Sequence, residues 1–192
     1  MADHKARADT RAEITRPTLT VVSGPPGSGK TTLARRLAEA RGCPAIIRDE
    51  IKQGMVLASP GGDDDPLNRA TLKAFFDVME ALARARVTVV AEAAYQDRLW
   101  RPNLEPLLGL ARVRVVRCTV DAELARERIL RRAQEVPHRA AHADRALLSA
   151  VAAGDHSLDA FVPISLDVPV LTVDTTDGYD PGFEEVVAFA RG

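Results

Sequence analysis

Gly24-Pro25-Pro26-Gly27-Ser28-Gly29-Lys30-Thr31 fits G-x-x-x-x-G-K-[ST], and its residue types suit one task, holding a string of phosphates. The glycines let the backbone curl until successive N–H groups face phosphate oxygens. A helix starting near Lys30 adds its positive amino end. Lys30 itself reaches the outer phosphates, and the Thr31 hydroxyl is a hard oxygen suited to Mg²⁺. Gly24 through Thr32 are therefore the candidate residues for binding ATP with Mg²⁺.

A second group of residues suits phosphoryl transfer, in which a hydroxyl must be held in line beside a carboxylate that takes its proton. Asp49 follows the β-type run Pro44-Ala45-Ile46-Ile47, and Glu92 follows Val87-Thr88-Val89-Val90-Ala91. Asp49 is equally suited to cap the helix after it. Leu124, Arg128 and Arg132 lie four apart on one helical face, with Arg126, Arg131 and Glu127 around them. Such arginines can offset the negative charge spread over a transferring phosphoryl group, or form a solvated face laced with ion pairs. His138 and His142 follow without the spacing that completes a metal site. Asp63-Asp64-Asp65 reads as a solvated loop, with attraction of a cationic acceptor as the alternative.

These residues need a scaffold, and the hydrophobic pattern supplies one by alternating short β-rich runs with helical stretches. Strands are expected at 18–23, 44–47, 87–91, 113–118 and 168–173. Helices are expected at 30–41, 51–58, 67–86, 122–135, 144–153 and 181–190. The stretch 97–110 is helical but broken by Pro102 and Pro106, and 59–66 is a loop. The expected architecture is α/β: a five-stranded parallel sheet with helices on both faces and a small helical lid at about 126–145. Ligands of such sheets bind beyond the carboxyl ends of the strands, which places the loop, Asp49, Glu92 and Asp174-Thr175-Thr176 on one rim.

Bulk properties narrow the class. A chain of 192 residues with 46% hydrophobic content suits one domain with a sizeable core, expected over 18–192 behind a flexible tail at 1–17. That tail lacks the apolar stretch of a signal peptide, and no apolar run spans a bilayer, so a cytoplasmic location is expected. Cys43 and Cys118 fit a reduced pair. A net charge of −1, with five Phe, two Tyr and one Trp, disfavours nucleic acid as a partner. Monomer and homodimer both stay open. There is no Asn-Lys-x-Asp to read guanine and no Leu-Ser-Gly-Gly-Gln signature of a transport ATPase. A P-loop NTPase fold of kinase type remains.

Over about 18–190 the sequence resembles small P-loop kinases related to chloramphenicol phosphotransferases, zeta-toxin kinases and the kinase domain of polynucleotide kinases. The likeness rests on the P-loop, Ile47-Arg48-Asp49-Glu50-Ile51-Lys52, Val89-Val90-Ala91-Glu92-Ala93-Ala94, and Arg126-Glu127-Arg128-Ile129-Leu130-Arg131-Arg132. It implies that Asp49 accepts the proton of the attacking hydroxyl. Arg128 and Arg132 match lid arginines best, and Arg139 more loosely. Thr175 lies where a loop passes the adenine. Glu92 stands where many relatives carry an aspartate, to hold a Mg²⁺-bound water or orient the acceptor. Lys52 replaces the arginine that polynucleotide kinases tend to place on an acceptor phosphate, and a lysine lacks the bidentate fork. Tyr95, Gln96, Arg98 and Trp100 are candidate walls of the acceptor pocket. The expected activity is ATP-dependent transfer to a hydroxyl of a small molecule such as an antibiotic, nucleoside or sugar. Two alternatives are a 5′-hydroxyl kinase acting on nucleotides or polynucleotides, and an ATP-binding regulator or ATPase without an acceptor.

Overall fold

Thr18–Ser23, strand β1, is buried along its whole length, as a strand covered on both faces and paired on both edges must be. The computed structural model describes residues 16–58, 64–135 and 162–192. Around β1 stand β2 (Ala45–Ile47), β3 (Val89–Glu92), β4 (Arg112–Thr119) and β5 (Val170–Asp174), in the order β2-β3-β1-β4-β5 with every pairing parallel. The five-stranded parallel sheet expected from the pattern is thus present. Its register sets Glu92 of β3 beside both Val22 of β1 and Ile47 of β2, so the chain leaves these three strands at one level.

Alternation along the strands divides the core in two. Leu19 and Val21 face one side with Val89, Val113 and Val115, packed by Phe75, Phe76 and Met79 of α3 (Asp64–Arg84) and by Trp100 and Leu104 of α4 (Asp97–Leu104). Val22, Val90 and Val116 face the other, against Leu33 and Leu37 of α1 (Lys30–Arg41) and Val186, Val187 and Ala190 of α6 (Phe183–Arg191). Helices therefore cover both faces, as expected. Gly42 ends α1 in the left-handed conformation at φ 62°, its N–H and that of Cys43 closing on Glu39 and Ala38 carbonyls.

Several boundaries differ from the sequence reading. Helix α2 (Arg48–Ala58) starts directly after β2 instead of at Ile51, so Asp49 and Glu50 sit in its first turn, where carboxylates meet the positive end of the helix. Helix α3 starts at Asp64 instead of Leu67, which places Asp64, Asp65 and Pro66 in a first turn instead of a loop. Strand β3 starts at Val89, because the chain first reverses through Arg86 at φ 59° and ties the Val87 amide to the Leu82 carbonyl. Strand β5 starts at Val170; Pro169 has no N–H for a ladder, although its carbonyl accepts from Val115. The proline-broken stretch resolves into α4 and a 3₁₀ turn, Glu105–Gly109. The basic helix α5 is Ala122–Glu135, with its first turn held by Asp121 Oδ1 on the Glu123 and Leu124 amides. Most of the tail, Asp63, the rest of the expected lid with His138, Arg139 and His142, and the helix expected at 144–153 lie outside the described residues. Among the described residues no helix is long and apolar enough to cross a membrane.

Candidate active site

The phosphate-binding loop is clamped from behind. Gly27 adopts φ 81°, and a Cβ there would lie 2.5 Å from the Ala125 carbonyl oxygen and 2.9 Å from the Ala125 Cα. Only glycine lets α5 approach the loop this closely. A Cβ on Gly24 would meet the Cys118 carbonyl oxygen at 2.6 Å, so the loop also rests on the end of β4. Cys118 itself is buried, and burial pushes its thiol up to about 12. It is an inert packing group at physiological pH.

Lys30 is nearly buried and folds back so that Nζ donates to the Pro25 carbonyl at 3.3 Å. The Thr31 hydroxyl donates to Glu92 Oε2 at 2.9 Å, and Glu92 is only 2% exposed. Its position at the end of β3, level with the end of β1, makes this contact possible. With its proton directed at the carboxylate, the Thr31 oxygen keeps lone pairs for a cation. A hydroxyl and a carboxylate side by side form a hard oxygen set that fits Mg²⁺.

Beyond β5, Thr175 is buried and its hydroxyl lies 2.9 Å from the Ser28 carbonyl oxygen and 3.0 Å from that of Thr119. Arg128 of α5 holds this loop through Nη2 to the Thr175 carbonyl at 2.8 Å, and Nη1 reaches the Thr175 hydroxyl at 3.3 Å and the Gly27 carbonyl at 3.5 Å. Asp174 is held below the usual carboxylate range by the Thr176 amide and hydroxyl. Gly27, Gly29, Lys30, Thr31 and Thr32 line a cavity of about 620 Å³, together with Arg128, Arg131, Arg132 and Thr175. Its remaining wall is Arg36, Gly178 and Tyr179, the Arg36 guanidinium lying over the Tyr179 ring at 5.3 Å and the Phe183 ring at 4.5 Å.

A second cavity, about 440 Å³, opens on the other side of Lys30 and Thr31. Lys30, Thr31 and Arg132 form the boundary with the first, Pro26 lines the second alone, and Asp49 and Arg48 come from the start of α2. Asn68, Arg69 and Leu72 of α3 face Ala94, Gln96, Leu99 and Trp100 from the end of β3 and from α4. The Asp49 side chain is 61% exposed, and its carboxylate is 3.6 Å from Arg48 Nη1.

This arrangement collects Lys30, Thr31, Asp49 and Arg132 around one passage, while Glu92 stands behind Thr31. Three expected substrate contacts, Glu92, Tyr95 and Lys52, do not line the second cavity; Glu92 is buried behind Thr31. Tyr95 is wholly buried, its ring 4.0 Å from that of Trp100 and its hydroxyl 4.0 Å from Met79 Sδ, so it is core and not a pocket wall. Burial pushes its phenol well above the ordinary value. Lys52, the fifth residue of α2, is 8% exposed and not among the lining residues, buried on the same helical face as Val56. Gln96 and Trp100 are walls as expected, whereas Arg98 is not among them. Arg48, Asn68, Arg69 and Leu72 escaped the sequence reading, as did Arg36 and Tyr179. Arg48 stands unassigned within the stretch that carries Asp49; the others sit on a helix or loop without a motif, and only the sheet order brings them to the rim.

The sheet order, the loop and its helix define the class: a P-loop nucleotide-binding fold of kinase type. Residues 19–153 match the family model described as an AAA domain, and the chain belongs to that family. Rv2004c, an uncharacterized protein of Mycobacterium tuberculosis, is 31% identical over 129 residues, which is 60% of this chain and 26% of that protein. The match thus spans about a quarter of that relative's length. A crystal structure of a candidate kinase from Chloroflexus aurantiacus J-10-fl is similar at 24% identity and TM-score 0.76, covering 92% of this chain and 97% of that one. The APS kinase CysC of Mycobacterium tuberculosis, solved with AMPPNP and APS, is similar at 18% identity and TM-score 0.58, covering 92% and 99%. At these identities the likeness is one of fold, and the fold of the small P-loop kinases is the one the motifs implied.

Proposed function

We propose that the chain is an ATP- and Mg²⁺-dependent phosphotransferase that moves the γ-phosphoryl group of ATP to a hydroxyl of a small molecule. The observation that carries this reading is the pair of cavities meeting at Lys30, Thr31 and Arg132, with a carboxylate, Asp49, lining the second and none lining the first among the described residues. An enzyme that only hydrolysed ATP would need no second cavity of about 440 Å³.

ATP occupies the first cavity, its phosphates on the loop amides and its base end toward Arg36, Thr175 and Tyr179. Lys30 exchanges the Pro25 carbonyl for phosphate oxygens. Thr31 and Glu92 would hold Mg²⁺, directly and through water, and the ion supplies charge neutralisation across the phosphates. Asp49 orients the acceptor hydroxyl and takes its proton as the oxygen attacks the γ-phosphorus. The new oxygen–phosphorus bond forms as the bridge to the β-phosphate breaks, and ADP leaves. Arg132, reached from both cavities, offsets the charge on the moving group.

Asp49→Asn keeps the shape and removes the base. Turnover is expected to fall by about 10²–10⁴-fold with ATP affinity unchanged, read by ADP release against a metabolite panel and by calorimetric titration with AMPPNP. Unchanged turnover removes Asp49 from the chemistry. ATP hydrolysis that ignores every acceptor sinks the transferase reading and favours a nucleotide-dependent regulator.

A further inference from the structure

The second cavity is cationic beyond what phosphoryl transfer requires. Lys30 and Arg132 are committed to the donor phosphates under the reading above. Among the described residues, that leaves Arg48 and Arg69 against the single carboxylate of Asp49. Arg48 is the more telling of the two. Its side chain is 20% exposed, yet its guanidinium makes no tight contact among the described residues: Nη2 stands 3.5 Å from Asn68 Oδ1, Nη1 stands 3.6 Å from Asp49, and the buried Nε has no hydrogen-bond partner. A guanidinium offers five donors in a planar fork, and a buried one normally has them filled. Here most are unspent, on a group that lines a cavity.

We infer that the acceptor is a small hydroxy anion, a hydroxy acid or a phosphorylated polyol, whose carboxylate or phosphate is held by Arg48 and Arg69 while its hydroxyl faces Asp49. The hydroxyl half of this statement rests on the transferase reading; the anion half does not. Arg48 precedes Asp49 in one turn of α2, so a molecule gripped by the first necessarily lies beside the second. Asn68 and Arg69, adjacent on α3, close the fork from the facing helix. Leu72, Leu99 and Trp100 give the cavity an apolar wall, which strengthens a charge pair formed inside it. A volume of about 440 Å³ suits a compact molecule better than a polymer end, and the chain's net charge of −1 provides no wider field for a polyanion. Arg48 thus also sets where the hydroxyl lies, a positioning role distinct from that of Asp49.

The test uses the full chain saturated with AMPPNP and Mg²⁺, so that the phosphate loop is filled, and titrates it with inorganic sulfate and with D-glycerate. Both probes are expected to bind. Arg69→Gln, an exposed position that leaves folding intact, weakens them roughly fivefold, and Arg48→Gln weakens them roughly tenfold or more, with AMPPNP affinity unchanged. Absence of anion binding to the saturated protein, or equal binding by the double variant, overturns the inference. Turnover supplies the second readout, through matched pairs such as glycerol against glycerate and glycerol 3-phosphate. The anionic members are expected to lead by at least about tenfold in kcat/KM, an advantage that Arg48→Gln removes through KM more than kcat. Preference for neutral members, or faster transfer to an oligonucleotide 5′ end than to any small anion, overturns it. Sulfate binding that depends on Arg48 and Arg69, without ADP release for any acceptor, removes the transferase reading and leaves the anion site standing.

Discussion

The two halves of the site are built by opposite means. The donor half is one continuous stretch, Gly24–Thr32, whose working groups are backbone amides and whose shape is set by close contact with Ala125 and Cys118. The proposed acceptor half gathers side chains from five helices and a strand end, across Pro26 to Arg132, around an opening walled by both polar and apolar groups. Phosphate chains are the same for every member of such a fold, so a rigid, locally encoded cradle serves them all. Acceptors differ, so their pocket is made from the ends of elements that can change without touching the cradle. The comparison predicts that damage to the donor half acts through backbone strain, whereas damage to the acceptor half acts through charge and orientation.

Gly27→Ala is the strongest way to break that contrast. Its left-handed φ costs a side chain about 1–2 kcal/mol, and overpacking against Ala125 adds about 1–3 kcal/mol. A combined loss of about 2–5 kcal/mol is expected, shared between thermal stability and ATP affinity. Gly29→Ala is the internal control: φ 69° carries the same backbone cost, but its Cβ would find nothing nearer than 3.8 Å. Melting curves and AMPPNP titration should rank Gly27→Ala well below Gly29→Ala. Equal losses mean that α5 does not clamp the loop.

The same asymmetry explains which residues were legible in the sequence. The loop is contiguous, so Lys30 and Thr31 could be named, and the strand-end rule then located Asp49 and Glu92. The sheet and its described helices followed from alternating periodicities, with boundaries shifted by two or three residues: Arg48 and Asp64 start helices that apolar spacing alone dates three residues later, and β3, β5 and α6 start two residues after the expected position. Side-chain direction could not be read in this way. Lys52 and Tyr95 lie within three residues of positions that line the second cavity, yet both are buried in the protein. Asn68 and Arg69 carry no motif, and Arg48 had no role of its own beside Asp49, because two elements separated by a loop must meet before they form a pocket.

Arg128 sharpens the comparison at the boundary. The basic helix suggested a lid arginine over the phosphates, but Arg128 spends its donors on Thr175 and Gly27 carbonyls, bracing the donor half. Arg128→Ala removes the guanidinium contacts to Thr175 and Gly27, about 1–2 kcal/mol in all when partly exposed, so ATP binding is expected to weaken about tenfold with a smaller fall in kcat. A large fall in kcat at unchanged ATP affinity would return Arg128 to the chemistry and leave the loop held by Thr175 alone.

The smallest effect is expected on the acceptor side. Asp97, the first residue of α4, accepts from the Ser165 amide at 2.6 Å and the Ser165 hydroxyl at 2.9 Å, fixing the helix that carries Leu99 and Trp100 into the cavity. These bonds hold its carboxyl below the ordinary value of 3.8. A depressed carboxyl stabilises the fold fully above its unfolded value, and that contribution disappears as pH falls through the lower folded value. The anchor should therefore be complete at neutral pH and fail only below about pH 3.8. Trp100, the chain's one tryptophan, reports on it directly. Asp97→Ala should show at pH 7 part of the Trp100 emission shift that the unsubstituted chain shows only in acid, raise KM for the acceptor slightly, and leave AMPPNP affinity untouched. Identical emission profiles in the two proteins would mean that Trp100 is held by its aromatic neighbours Phe75, Phe76 and Tyr95 alone, and the acceptor wall would then be as rigid as the cradle it faces.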